Sequence, residues 1–143
     1  MAQIPIQEGL FTWPSEDPRL IGSRCAACGK ITFPAQKSCP ACCQEAVEPV
    51  ELPRRGTLWT WTIQGFPPKS PPYGKAETWE TFVPYGVGYL ELPNAVRVET
   101  RLTENRAEKL EIGMEMELVI LPFRQDDEGN DIMMFAFKPV KEV

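Results

Sequence analysis

Histidine is absent from the 143-residue chain. Within this polypeptide that excludes a Ser-His-Asp triad, a Cys-His dyad and a catalytic zinc held by imidazoles, because each needs an imidazole ring as base or as ligand. Long apolar runs are missing as well: none approaches the roughly 20 residues that cross a bilayer. Positive charge is in deficit, with 15 Lys and Arg against 20 Asp and Glu and a net charge of −5. Nucleic acids and anionic membranes are bound through excess Lys and Arg, so neither is the expected principal partner. The opening MAQIPIQEGLFTWPSEDP carries neither a basic n-region nor an apolar h-region, so no secretion signal is expected. The expected location is the cytoplasm, where thiols stay reduced.

What is present in unusual density is cysteine. All five fall between positions 25 and 43, as Cys25-x-x-Cys28 and Cys39-x-x-Cys42 with Cys43 directly after. Each CxxC pair can fold as a tight knuckle presenting two thiolates, and two facing knuckles complete a tetrahedral four-cysteine site. Gly29 follows the first knuckle, where positive φ lets the turn close around a metal. The expected ion is one structural Zn²⁺ held by Cys25, Cys28, Cys39 and Cys42, with iron of the rubredoxin type left open because it uses the same ligands. Cys43 stands where a second knuckle would carry glycine. It reads as a passive small residue, since no histidine is available to activate it.

The rest of the chain reads as β structure. TLWTWTIQ (57–64) alternates, placing Trp59, Trp61 and Ile63 on one face; FVPYGVGYLEL (82–92) is apolar, aromatic and glycine-bearing, which suggests a bulged or sharply curved strand. AVRVETRLT (95–103) sets Val96, Val98, Thr100 and Leu102 against Arg97, Glu99 and Arg101. A short helical segment, ENRAEKL (104–110), leads to MEMELVIL (114–121), and IMMFAFK (132–138) is a final strand. The acidic run RQDDEGND (124–131) lacks the spacing of an EF-hand loop and reads as a hairpin tip. Five strands with a helix between the third and fourth match an OB-fold barrel, with a small β-sandwich as the alternative. The expected fold is therefore mainly β: residues 1–22 extended, 23–47 a rubredoxin-like zinc ribbon with four cysteine ligands, and 48–143 a five-stranded OB-fold domain. Trp59, Trp61 and Phe135 could stack bases in a single-stranded nucleic-acid module, but at period two they read as core.

One connection is long. GFPPKSPPYGKAETWET (65–81) spans seventeen residues with four prolines, and loops of this length in small domains are commonly functional. Lys69 and Lys75 could meet phosphates, and Tyr73 and Trp79 could stack on a planar ring or anchor a partner subunit.

The run LIGSRCAACGKITFPAQKSCPAC, with VGYLEL, RVETRL and LEIGMEMELVI behind it, resembles the zinc-ribbon/OB-fold acyl-CoA-associated proteins, domain-of-unknown-function family 35. The resemblance covers nearly the whole chain. It implies a small non-catalytic subunit that pairs with a thiolase-fold enzyme, whose own cysteine and histidines do the chemistry on an acyl-CoA. It further implies a two-plus-two hetero-oligomer and substrates such as steroid side-chain or aromatic acyl-CoA thioesters. The competing readings are a nucleic-acid-binding ribbon/OB module, a small iron electron carrier and a scaffold unrelated to CoA. Cys43 in place of the expected glycine is the departure from the family pattern.

Overall fold

Alternating apolar and polar residues make strands the dominant regular structure among the described residues. A computed structural model describes residues 2–67, 82–93 and 96–140. Its elements are β1 (Gln3–Pro5), β2 (Ile21–Cys25), β3 (Ile31–Thr32), β4 (Val47–Glu51), β5 (Arg55–Gln64), β6 (Tyr85–Glu91), β7 (Arg97–Leu102), a 3-10 turn (Ala107–Lys109), β8 (Glu115–Gln125) and β9 (Asp131–Pro139).

Two sheets result. The smaller has the order β3-β2-β4, all antiparallel, and forms the ribbon. In the larger, β5 pairs with β6, β6 with β7, β7 with β9 in parallel, β9 with β8, and β8 back with β5. This cycle closes a five-stranded barrel with the OB-fold order, which leaves no open edge among its strands. β1 adds to the outside of the cycle as a parallel neighbour of β9. The N-terminal segment thus crosses from the barrel to the ribbon, where an isolated bridge joins Phe11 to Leu20.

The core lies inside the barrel and runs up beneath the ribbon. Leu58, Leu90, Leu92, Val98, Leu102, Met116, Leu118 and Phe137 fill the barrel, while Leu20 and Leu52 continue the same cluster to the ribbon base. Val98, Thr100 and Leu102 alternate inward along β7, as do Met116 and Leu118 along β8, as the period-two pattern predicts. The expected hairpin tip is a turn in which Asp126 accepts backbone N–H bonds from Glu128 and Asn130.

Three expectations need correction. The helical segment at 104–110 is a single 3-10 turn, Ala107–Lys109, with no buried residue; lacking an apolar face to dock, it has nothing to stabilise a longer helix. Trp59 does not share a face with Trp61 and Ile63. The register of β5 against β6 shifts between Leu58 and Thr60, so Leu58 is 1% exposed whereas Trp59, at the bulge, is 45% exposed. One extra residue reverses the inside/outside alternation, so uniform period two fails there. The bulge that was one of the two alternatives for β6 therefore sits in its neighbour. The β6 glycines serve a different need: a Cβ on Gly88 would lie 2.8 Å from the Thr60 carbonyl and 2.9 Å from Leu58 Cδ1. Small residues there let the barrel wall close on its own core.

Candidate metal centre and the groove beside it

The ribbon is built from two copies of one backbone device. In the first, the Gly29 N–H donates to the Cys25 carbonyl at 2.8 Å and the Cys25 N–H to the Lys30 carbonyl at 2.9 Å. In the second, the Cys43 N–H donates to the Cys39 carbonyl at 2.8 Å and the Cys39 N–H to the Gln44 carbonyl at 2.8 Å. The turn demands positive φ at the residue after each second cysteine. Gly29 supplies it at 80°, and Cys43 adopts it at 63° despite its Cβ. The second knuckle therefore keeps the turn with a residue that disfavours it.

The knuckles bring the four sulfurs of Cys25, Cys28, Cys39 and Cys42 within 4.8 Å of one another. Cys25 Sγ lies 3.6 Å from Cys42 Sγ, and Cys28 Sγ lies 3.5 Å from Cys39 Sγ. A tetrahedral zinc with Zn–S bonds of about 2.3 Å needs sulfur–sulfur edges of about 3.8 Å, so the donors fit such an ion with small adjustments. All four positions are protein thiols, which leaves no site for a substrate or an activated water. Cys25 and Cys39 are buried at the centre while Cys28 is exposed.

The local electrostatics favour the thiolate at Cys25 and Cys39 and disfavour it at Cys28 and Cys42. The Cys28 N–H aimed at Cys25 holds its pKa below the ordinary thiol value. The Cys42 N–H does the same for Cys39, whose pKa falls to about 6. At Cys42 the Gln44 N–H also acts downward, but burial and the neighbouring thiols outweigh it and the net direction is up. Four like groups this close cannot all ionise without a cation between them. Ser23 fixes the ribbon's first hairpin, with its hydroxyl 2.7 Å from that of Thr32.

Beside the ribbon lies a groove of about 720 Å³ between Phe33 and Pro34 and the outer faces of β6 and β7. Trp59 stands at its margin, edge-on to Tyr89 with ring centroids 6.2 Å apart. The Arg97 guanidinium covers the Trp59 ring at 4.0 Å, and Arg101 covers Tyr85 at 4.1 Å. Of the aromatics weighed for base stacking, Phe135 is buried and Trp61 packs against the core. Lys69, Tyr73, Lys75 and Trp79 lie outside the described residues.

Two family profiles divide the chain at this same architecture. Residues 13–48 match the rubredoxin-like zinc ribbon domain of ChsH2, and residues 49–121 match its C-terminal OB-fold domain. The chain belongs to the DUF35/ChsH2 family. A DUF35 domain-containing scaffold protein of Pyrococcus furiosus is 32% identical over 87% of this chain and 86% of its own length. A protein of Thauera aromatica named benzoylsuccinyl-CoA thiolase subunit BbsA is 30% identical over 86% of this chain and 78% of its own. A solved structure titled Ltp2-ChsH2(DUF35) aldolase superposes with a TM-score of 0.62 at 28% identity, covering 86% of each chain. Relatives of the DUF35/ChsH2 chain thus include subunits of thiolase and aldolase complexes. Among the described residues no helix is long and apolar enough to cross a membrane.

Arg97 and Arg101 were not singled out as a site by sequence, and Trp59, weighed there for base stacking, was read as core. Their signal is visible only in hindsight, as basic residues alternating with apolar ones on a strand facing aromatics across the sheet.

Proposed function

We propose that this chain is a non-catalytic subunit of a thiolase-fold complex that makes or breaks C–C bonds in acyl-CoA thioesters. The observation that carries the reading is a closed four-thiolate centre in a chain without histidine: the metal can organise the ribbon but cannot present a substrate or a water. Relatives in thiolase and aldolase complexes support the same division of labour. Cys25, Cys28, Cys39 and Cys42 hold one structural Zn²⁺, which fixes the ribbon against the barrel base. The partner's residues perform the chemistry, in a two-plus-two assembly of the kind symmetric enzymes favour.

In its narrower form the reading takes an aromatic acyl-CoA as the substrate. The specific case is thiolysis of benzoylsuccinyl-CoA in anaerobic toluene breakdown, supported by the likeness to the Thauera protein. The proline-rich arm is assigned to the subunit boundary near the CoA entrance, with Trp79 and Tyr73 as anchors and Lys69 and Lys75 toward the CoA phosphates.

The test is to purify the chain with whatever it binds, identify the partner, and assay thiolysis and retro-aldol cleavage. No turnover is expected from the chain alone, and turnover is expected once the thiolase-fold subunit is present. Activity of the single chain, or a co-purifying partner of another fold, would overturn the proposal.

A further inference from the structure

We propose that the groove between the ribbon and the outer face of β6–β7 receives an extended, acidic segment of the thiolase-fold partner, clamped by Arg97 and Arg101. This rests on the accessory-subunit reading above. The groove walls are apolar where Phe33 and Pro34 of the ribbon face Val87 and Tyr89 of β6 and Met134 of β9. Cations border that wall on β7.

The behaviour of those cations carries the inference. The chain is acidic overall, and Arg19, Arg24, Arg54, Arg55 and Arg106 each reach a carboxylate within 4.0 Å. Among the described residues Arg97, Arg101 and Arg124 do not, and of these three only Arg97 and Arg101 line the groove. Glu91 stands directly across from Arg97 in the β6–β7 register, yet the guanidinium turns onto Trp59 instead. Arg101, opposite Val87, sits over the Tyr85 ring, 4.1 Å from its centroid. Stacking fixes the plane of a guanidinium and leaves its in-plane N–H groups directed outward, the arrangement that takes a carboxylate bidentately.

The spacing indicates the shape of the occupant. Arg97 and Arg101 are four residues apart on one strand, about 13 Å, and so point to the same side of the sheet. Glu99 lies between them, held by the Tyr89 hydroxyl at 3.4 Å, and disfavours an anion at the middle. An extended segment with carboxylates about four residues apart and an apolar side chain between them complements this pattern of plus, minus and plus over an apolar floor. A stacked nucleotide fits less well, because the guanidiniums already cover a face of Trp59 and of Tyr85. Trp, Tyr and Arg are also the residues that dominate protein interfaces energetically.

The experiment compares wild type with Arg97→Glu/Arg101→Glu for affinity toward the thiolase-fold subunit that co-purifies with the wild-type chain, by biolayer interferometry at two salt concentrations. Zinc content and circular dichroism verify that the variant is folded, and Arg97→Gln/Arg101→Gln gives a milder second variant. Arg55→Glu, on the exposed pair with Glu115 and Glu117, controls for charge alone. The double reversal is expected to weaken binding at least about 100-fold, the Gln pair less, and Arg55→Glu about threefold or less. Wild-type affinity in both double variants would overturn the groove while leaving the accessory-subunit reading intact. Failure of the wild-type chain to hold any thiolase-fold subunit would sink both. An intact complex whose KM for acyl-CoA rises would assign the guanidiniums to substrate phosphates and overturn the docking.

Discussion

The ribbon and the barrel are held together in opposite ways. The barrel has Leu58, Leu90, Leu102, Met116, Leu118 and Phe137 sealed inside a closed cycle of strands, and it can be stable through apolar burial. The ribbon has three short strands, β3 being only Ile31–Thr32, and its central buried groups are Cys25 and Cys39. A module of that size buries too little apolar surface to fold by itself, so a metal takes the place of a core. The difference teaches where substitutions should act: ligand changes should open the ribbon and spare the barrel, and core changes the reverse.

The largest effect should come from the ligands. Cys39→Ser, or strong chelation, is expected to release the metal and unfold the ribbon, since structural zinc contributes on the order of 10 kcal/mol to comparable modules. Metal analysis together with residue-resolved hydrogen exchange checks this; the barrel amides should stay protected, and collapse of both halves at once would erase the comparison. The converse is Phe137→Ala, in which a fully buried ring leaves the barrel. A loss of about 3–5 kcal/mol in denaturant unfolding is expected, with zinc still bound one per chain.

A smaller effect tests the second knuckle. Cys43 holds φ of 63°, and a β-branched side chain is least tolerant of that region. Cys43→Val should weaken metal retention by about 1–2 kcal/mol, while Cys43→Ser should leave zinc content unchanged. Competition with a chromogenic chelator reads both. Equal metal loss from Cys43→Ser and Cys42→Ser would sink the four-ligand assignment.

The smallest expected effect lies at the seam. Arg54, on the link between ribbon and barrel, bonds Asp17 at 2.6 Å and the Leu118 carbonyl at 2.8 Å. Arg54, followed by Arg19, holds the Asp17 carboxyl below its ordinary value of 3.8. A depressed carboxylate pKa stabilises the fold above the unfolded value, and that stability fades as pH falls through the folded one. Asp17→Asn should therefore lower the melting temperature slightly at neutral pH and make no difference in strong acid. Thermal melts across that range decide the matter; a deficit that persists in acid would remove the ion pair as its cause.

Much of this protein was legible in its residues. The cysteine spacing predicted the knuckles because a CxxC turn is local: Gly29 and the intervening residues close it with no distant help. The strands of the barrel were likewise readable from alternation along β7 and β8, where each residue's face follows from its neighbours. The position of Trp59 was not, because a bulge is settled by pairing with β6 and by the space its glycines leave, neither of which is written in β5 itself. The same holds for β1, whose three residues gain their structure only from β9, more than a hundred positions away.

Sequence alone thus determined the spacing of the four clustered cysteines, the lack of an imidazole and the succession of the five barrel strands, all of which depend on residue identity and short-range geometry. Only the tertiary structure decided which arginines go without a carboxylate. Arg97 and Arg101 look the same in sequence as Arg55, which pairs across β5 and β8 with Glu115 and Glu117. Their stacking on Trp59 and Tyr85 arises when consecutive antiparallel pairing sets β5, β6 and β7 side by side, since side-chain partners across a sheet are fixed by register rather than by proximity along the chain.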